Sequence, residues 1–160
     1  MSKTKGSTYE RHIAKKLGAW WGEEFQRTPA SGGLRWKQDN RVCGDIVTPP
    51  GSTFPWVVEC KKRENWTMDS LLNGSAEVSK WWKQVTDDAE RSGLEPMLIF
   101  TRNRQPDYVA LKAHDEIFIF INPTMMIVTT INGDEVIIMR LDDLIEMHEK
   151  EIKSSYDRTD

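Results

Sequence analysis

The chain is short of cysteine, of histidine and of long apolar runs. Its 160 residues include only two cysteines and three histidines. Cys43 and Cys60 could close at most one bridge and lack the paired close spacing of a structural zinc site, so both are expected to be free thiols. His12, His114 and His148 share no metal-ligand spacing, and no chemistry is assigned to them. The longest apolar runs, IFIFI near residue 117 and MMIV near residue 125, fall far below the roughly 18 residues that a membrane helix needs. The opening MSKTKGSTYER has basic residues with no apolar stretch behind them, so a cytoplasmic protein without a secretory signal is expected. Repeats, low-complexity tracts and linkers long enough to divide domains are also missing. One domain over residues 1–160 is expected, with a core at about 5–104, added strands, a hairpin and a helix over 105–153, and a frayed tail at 154–160.

What is present is an uneven charge. The net charge of -3 conceals twelve Lys/Arg against six Asp/Glu in residues 1–63, and ten against nineteen in the remainder. A basic segment on an acidic body can meet a polyanion with one face only, although a solvated charged surface gives the same tally. Along the chain, Tyr9, Ile13, Leu17 and Trp20 recur at helical spacing, with Ser7 and Glu10 forming an S-x-x-E start signal. A short strand is expected around Phe25, then a polar loop hinged on Ser31, Gly32 and Gly33. Strands are expected near 45–48 and 56–61, separated by the turn PPGSTFP. MDSLLN reads as a short helix broken at Gly74. A longer helix follows from Ser75, with Val78, Trp81, Trp82, Val85 and Ala89 on one face, and stops at Ser92-Gly93. PMLIFT, DYVAL and IFIFI read as strands, MMIVTTINGDEVIIM as a hairpin turning at Asn132-Gly133, and residues from Leu141 as a closing helix. The order describes an α/β fold, a mixed central β-sheet flanked by helices.

The chemistry concentrates in CGDIVTPPGSTFPWVVECKK. Alternation along a strand puts Glu59 and Lys61 on one face while Val58 and Cys60 face the other. If the preceding strand lies alongside, Asp45 brings a second carboxylate to the same point. Two carboxylates with the Cys60 backbone carbonyl make a hard oxygen cage suited to Mg²⁺ or Mn²⁺, with Lys61 beside it, which suits phosphodiester hydrolysis. Glu151-Ile152-Lys153 repeats the E-x-K letters inside a polar helix, where residues two apart do not face each other, so the letters alone decide nothing. A surface Glu-Lys strand pair with a turn-capping aspartate remains the plain structural alternative.

Gly44-Asp45 followed by Glu59-Cys60-Lys61 resembles the signature of the PD-(D/E)XK nuclease superfamily, with Gly44 where that signature usually has proline. KGSTYERHIAKKL followed by QRTPASGG is similar to the opening of archaeal-type Holliday junction resolvases, in which a Lys-Gly-x-x-x-Glu helix precedes an Arg-x-x-x-Ser-Gly loop. ECKKRENWTMDSLL, WWKQ and PMLIFTRNR resemble phage and prophage relatives of those enzymes. The resemblance spans about residues 5–104 and implies a restriction-endonuclease-like core.

It further implies metal ligation by Asp45, Glu59 and the Cys60 carbonyl, catalysis by Lys61, and a contribution of Glu10 to the metal or its water shell. Glu10 also has a capping reading within S-x-x-E. Ser31 matches a loop position that touches DNA or the scissile phosphate, and alternatively is a turn residue. Gln84, behind Trp81-Trp82, could reach the site or remain a solvated helix residue. Lys5, Arg27, Arg35, Trp36, Lys37, Arg41, Lys62 and Arg63 are the expected DNA contacts. The implied activity is that of a Mg²⁺-dependent endonuclease, with Mn²⁺ able to substitute, acting as a homodimer on branched or duplex DNA in recombination and repair. No membrane and no small-molecule cofactor are expected. The rivals are a nuclease of the same fold acting on flaps, forks or restriction-type sites, a non-catalytic DNA-binding module, and a protein adaptor using the acidic half.

Overall fold

The computed structural model describes residues 2–29 and 43–158, with side chains from residue 6 onward. The chain opens with α1 (Ser2–Trp21), then β1 (Gln26–Arg27), β2 (Ile46–Val47) and β3 (Trp56–Lys62). Helices α2 (Met68–Asn73) and α3 (Ala76–Ser92) lead to β4 (Glu95–Thr101) and β5 (Tyr108–Lys112). A single-turn helix α4 (Ile117–Phe120), the hairpin β6 (Ile127–Ile131) and β7 (Asp134–Arg140), and α5 (Leu141–Arg158) complete it. The main sheet has the order β3-β4-β5-β7-β6, with β3 and β4 parallel and the other pairs antiparallel. β1 and β2 form a separate antiparallel pair.

Strict alternation sorts the sheet into two apolar layers. Trp56, Val58 and Cys60 of β3, with Met97 and Ile99 of β4, pack in a cluster with Tyr9, Ile13 and Leu17 of α1 and Leu141 and Leu144 of α5. Val57, Leu98 and Phe100 pack on the other face with Leu71 of α2 and Val78, Trp81 and Trp82 of α3. Both tryptophans of the Trp81-Trp82 pair are therefore core residues, and the Trp82 indole N–H is satisfied by Asp134 at 2.9 Å. Cys60 is a free thiol, buried in the core. Among the described residues no helix is long and apolar enough to cross a membrane.

Local chemistry explains the element ends. Thr67 and Ser70 exchange side-chain and backbone hydrogen bonds at the start of α2, forming a capping box. The Ser75 hydroxyl caps α3 through the Val78 N–H, and Gly93 ends that helix in the left-handed conformation. Asn132 and Gly133 take positive φ, 51° and 84°, at the hairpin turn.

Three expectations are corrected. α1 begins at Ser2, so Ser7 and Glu10 lie inside the helix and do not form its N-terminal box. IFIFI is a helical turn and not a strand: Ile117 and Ile121, four apart, are buried while Ile119 and Phe120 are exposed. Such a short apolar run fits either period, and the burial of i and i+4 decides it. α5 continues to Arg158, through most of the expected tail. The second E-x-K, at Glu151, does lie on that helix.

β3 is an edge strand of the main sheet, and its open edge receives the chain at Gly44-Asp45. Gly44 has φ of 76°, and a Cβ built there would meet the Val58 carbonyl oxygen at 2.5 Å and Val57 Cγ1 at 2.9 Å. Proline, locked near φ -65°, cannot adopt this conformation, which accounts for the glycine where the superfamily signature has proline. Gly44→Ala is expected to cost at least about 1–3 kcal/mol, because the strand edge must separate to admit a methyl group. Chemical denaturation would measure it, and an unchanged unfolding midpoint would contradict this role for Gly44.

Candidate active site

Asp45 is held on the edge of β3 by its own backbone. Its N–H donates to the Val58 carbonyl at 2.8 Å, and its carbonyl accepts the Thr28 N–H at 2.8 Å. The Thr28 hydroxyl donates to the Gly44 carbonyl at 2.8 Å, which fixes the turn ahead of it. The Asp45 carboxylate then accepts the Cys60 N–H through Oδ2 at 2.7 Å, a charge-assisted bond across the strand edge. This arrangement brings the Asp45 carboxylate to the strand position next to Glu59, where its charge acts on the Glu59 carboxyl.

Glu59 is the exceptional residue of the interior. It is 1% exposed, and its Oε2 is buried without a hydrogen-bond partner among the described residues. Burial is the main reason that its pKa rises to about 9, followed by the charge of Asp45 and the hydrogen bond to it, with Glu10 adding a smaller push. The Lys61 ammonium opposes the shift. Lys61 is half-buried at the end of β3.

Glu10 projects from the middle of α1 and accepts from Arg27 Nε at 3.1 Å. Burial and then the Asp45 charge raise its pKa, against the pull of Arg27 and Lys61. Glu10 thus belongs to the same electrostatic group, but its direct partner is Arg27, a pairing that no local sequence signal announces. Among the described residues no group of three or more His, Cys, Asp and Glu side chains is arranged to hold a metal ion. The convergence consists of Asp45 and Glu59, beside the Cys60 backbone.

Lys62 is half-buried at the end of β3, and Arg63 is exposed, its guanidinium donating to the Lys62 carbonyl at 3.1 Å. Gln84 is exposed on α3, next to the buried Val85. Ser31, Arg35, Trp36, Lys37 and Arg41 lie outside the described residues, as does the side chain of Lys5, whose backbone belongs to α1.

An unpartnered buried carboxylate oxygen beside a second carboxylate is a destabilising arrangement that a proton or a cation can relieve. Burial and the neighbouring Asp45 charge both favour the protonated form of Glu59. An unfolded glutamate ionises near 4.5, whereas folded Glu59 keeps its proton to about 9. The folded state's advantage from this group is therefore complete below the lower value and is lost as pH climbs to the upper one. In EDTA the thermal midpoint of the wild type should fall more between pH 6 and pH 9 than that of Glu59→Gln. Parallel pH profiles for the two proteins would contradict the protonated Glu59.

Comparison with known proteins adds the family. The model of the family described as "Phage putative PDDEXK endonuclease" matches residues 1–154. Protein D14 of Escherichia phage T5 is 30% identical over 118 residues, which cover 71% of this chain and 72% of that protein. The solved structure of Archaeoglobus fulgidus Hjc, a Holliday junction resolvase from an archaeal hyperthermophile, is similar with 16% identity. It covers 89% of this chain and 88% of that one, at a TM-score of 0.41. With all but its last few residues matched, and with the G-D and E-C-K elements converging at the edge of β3, the chain belongs to the phage PDDEXK endonuclease family.

Proposed function

We propose that the protein is a divalent-metal-dependent, structure-specific DNA endonuclease whose substrate is a four-way (Holliday) junction. The observation that carries the metal and the hydrolysis is the placing of Asp45, bonded to the Cys60 N–H, beside a Glu59 whose Oε2 is buried without a partner among the described residues. The four-way junction rests on the order of KGSTYER, QRTPASGG and ECKK in the sequence. Asp45, Glu59 and the Cys60 carbonyl are the proposed ligands of Mg²⁺ or Mn²⁺. This all-oxygen set suits a hard cation, and the buried Glu59 Oε2, without a partner among the described residues, fits a site that gains a positive charge. When bound, the cation would polarise the phosphoryl group and lower the pKa of the attacking water.

The chain's own residues supply the rest. Asp45 is fixed by backbone bonds on both its N–H and its carbonyl, so its carboxylate is already oriented before substrate arrives. Lys61, at the same strand end, would orient the attacking water or neutralise charge gathering on the phosphate oxygens. Arg27 holds Glu10 back by their ion pair, and Glu10 would act on the surrounding water shell. Lys5, Arg27, Ser31, Arg35, Trp36, Lys37, Arg41, Lys62 and Arg63 are proposed to contact the DNA, and Gln84 to approach the site from α3.

Two symmetric cuts in a four-way junction need two sites, and we assign the second to another copy of the chain. Exposed apolar side chains support this pairing: Ile119 and Phe120 on α4, Met125 and Met126 before β6, and Ile152 on α5. Sedimentation at micromolar concentration is expected to give a dimer, and a monomer under conditions where the enzyme still makes paired cuts would contradict it.

The direct test is cleavage of a panel of four-way, flap, nicked and linear duplex DNAs at pH near 8 with Mg²⁺ or Mn²⁺. The four-way junction should be nicked fastest. Asp45→Ala, Glu59→Ala and Lys61→Ala should each lose at least ~100-fold in rate. Full cleavage by Asp45→Ala would sink the mechanism, and faster cleavage of linear duplex would sink the substrate assignment.

A further inference from the structure

One residue beyond Lys61, a cleft of 710 Å³ opens between α1 and the turn that joins β4 to β5. His12 of α1, Lys62 of β3 and Arg102, Asn103 and Arg104 of the turn line it. Its carboxylate, Asp107, is already engaged: the Tyr9 hydroxyl donates to Oδ1 at 2.9 Å, and Lys16 and His12 Nε2 lie 3.2 and 3.5 Å from Oδ2. Lys16 also pairs with Asp142 at 2.6 Å, so it is shared between two carboxylates, and the cationic side chains Lys62, Arg102 and Arg104 line the cleft beside an Asp107 that is already hydrogen-bonded.

The turn is built to hold its shape. The Thr101 hydroxyl, buried at its base, lies within hydrogen-bonding distance of the Pro106 and Gln105 carbonyls, at 2.8 and 3.1 Å. The Gln105 N–H closes back to the Arg102 carbonyl at 3.1 Å. The Asn103 N–H donates to the Glu64 carboxylate, 3.1 Å from both oxygens. Arg102 donates to the Trp66 carbonyl at 3.2 Å, with its guanidinium carbon 5.4 Å from the Trp66 ring centre. Arg102 is thereby a buttress, and the exposed charge at the tip is Arg104. Arg104 has φ of 65°, a left-handed conformation that favours glycine or asparagine and is seldom kept by an arginine without a use.

We propose that this cleft binds the sugar-phosphate backbone of DNA at a phosphate other than the one cleaved, with Arg104 and Lys62 as its charge contacts. Lys61 and Lys62 leave β3 on opposite faces, so a strand crossing the carboxyl ends of the parallel pair β3 and β4 meets both. The inference rests on the nuclease reading above and adds the β4–β5 turn to its DNA surface. It requires no metal and no cleavage.

The test is fluorescence-anisotropy binding of the full chain, in EDTA, to a labelled four-way junction and a labelled linear duplex across a range of salt. Arg104→Asn keeps a residue that tolerates the left-handed turn while removing the charge. It should weaken binding to both DNAs by ~3–10-fold and lower the slope of log K against log salt by about one. Arg104→Lys should recover most of the affinity, and Lys150→Ala, on α5, should match the wild type. Wild-type affinity and slope in Arg104→Asn would overturn the inference and leave the nuclease reading intact. An equal loss in Arg104→Lys would also overturn it, by showing that the turn and not its charge matters. A wild type that binds neither DNA would overturn the inference together with the reading on which it rests.

Discussion

The bond from the Cys60 N–H to the Asp45 carboxylate, 2.7 Å long, is the contact on which the rest of the candidate site depends. β3 is an edge strand, so Cys60 has no neighbouring strand on that side to take its N–H, and a carboxylate takes it instead. That single substitution of a side chain for a strand places Asp45 beside Glu59 and within the electrostatic reach of Glu10. Everything upstream serves it: the left-handed Gly44, the Thr28 clamp, and the two-residue pair of β1 with β2. The core behind it is conventional, two apolar layers sorted by alternation along β3, β4, β5 and β7.

The same bond creates the conflict that gives the site its character. A protein interior tolerates one ionised carboxylate that is well bonded, and Asp45 has its bonds. Glu59 has an oxygen with none among the described residues, and burial pushes its pKa above that of a free glutamate. Lys61 and Arg27 bring positive charge to the group without resolving it, because Arg27 is committed to Glu10. Such a pair is a poor structural element, and Glu59, 1% exposed, is not part of a surface strand pair.

The parts of this arrangement visible in the sequence were those governed by short-range rules. Alternation in WVVECKK separates Glu59 and Lys61 from Val58 and Cys60, PPGSTFP announces a turn, and helical spacing buries Trp81 and Trp82. Asn132-Gly133 declares its hairpin. The misreadings came where a local pattern had two meanings. IFIFI fits a strand by composition and a helical turn by burial, and Ser7 with Glu10 matches a start signal inside a helix already under way from Ser2. Long-range pairs left no trace at all. Nothing near Glu10 points to Arg27, nothing in TRNRQPD reveals a left-handed Arg104, and Asp107 gathers Tyr9 and Lys16 from the far end of the chain. Gly44 is intermediate: its departure from the usual proline is plain in the sequence, but its reason, the Val58 carbonyl 2.5 Å from where a Cβ would be, exists only in the folded chain.

Asp45 and Glu59 are proposed to form one cation site. A crystal of the protein soaked in Mn²⁺ and measured at the manganese absorption edge tests it most directly. An anomalous peak within bonding distance of both carboxylates and the Cys60 carbonyl is expected. Manganese bound only elsewhere, with Asp45 and Glu59 ordered and still in contact, would contradict it.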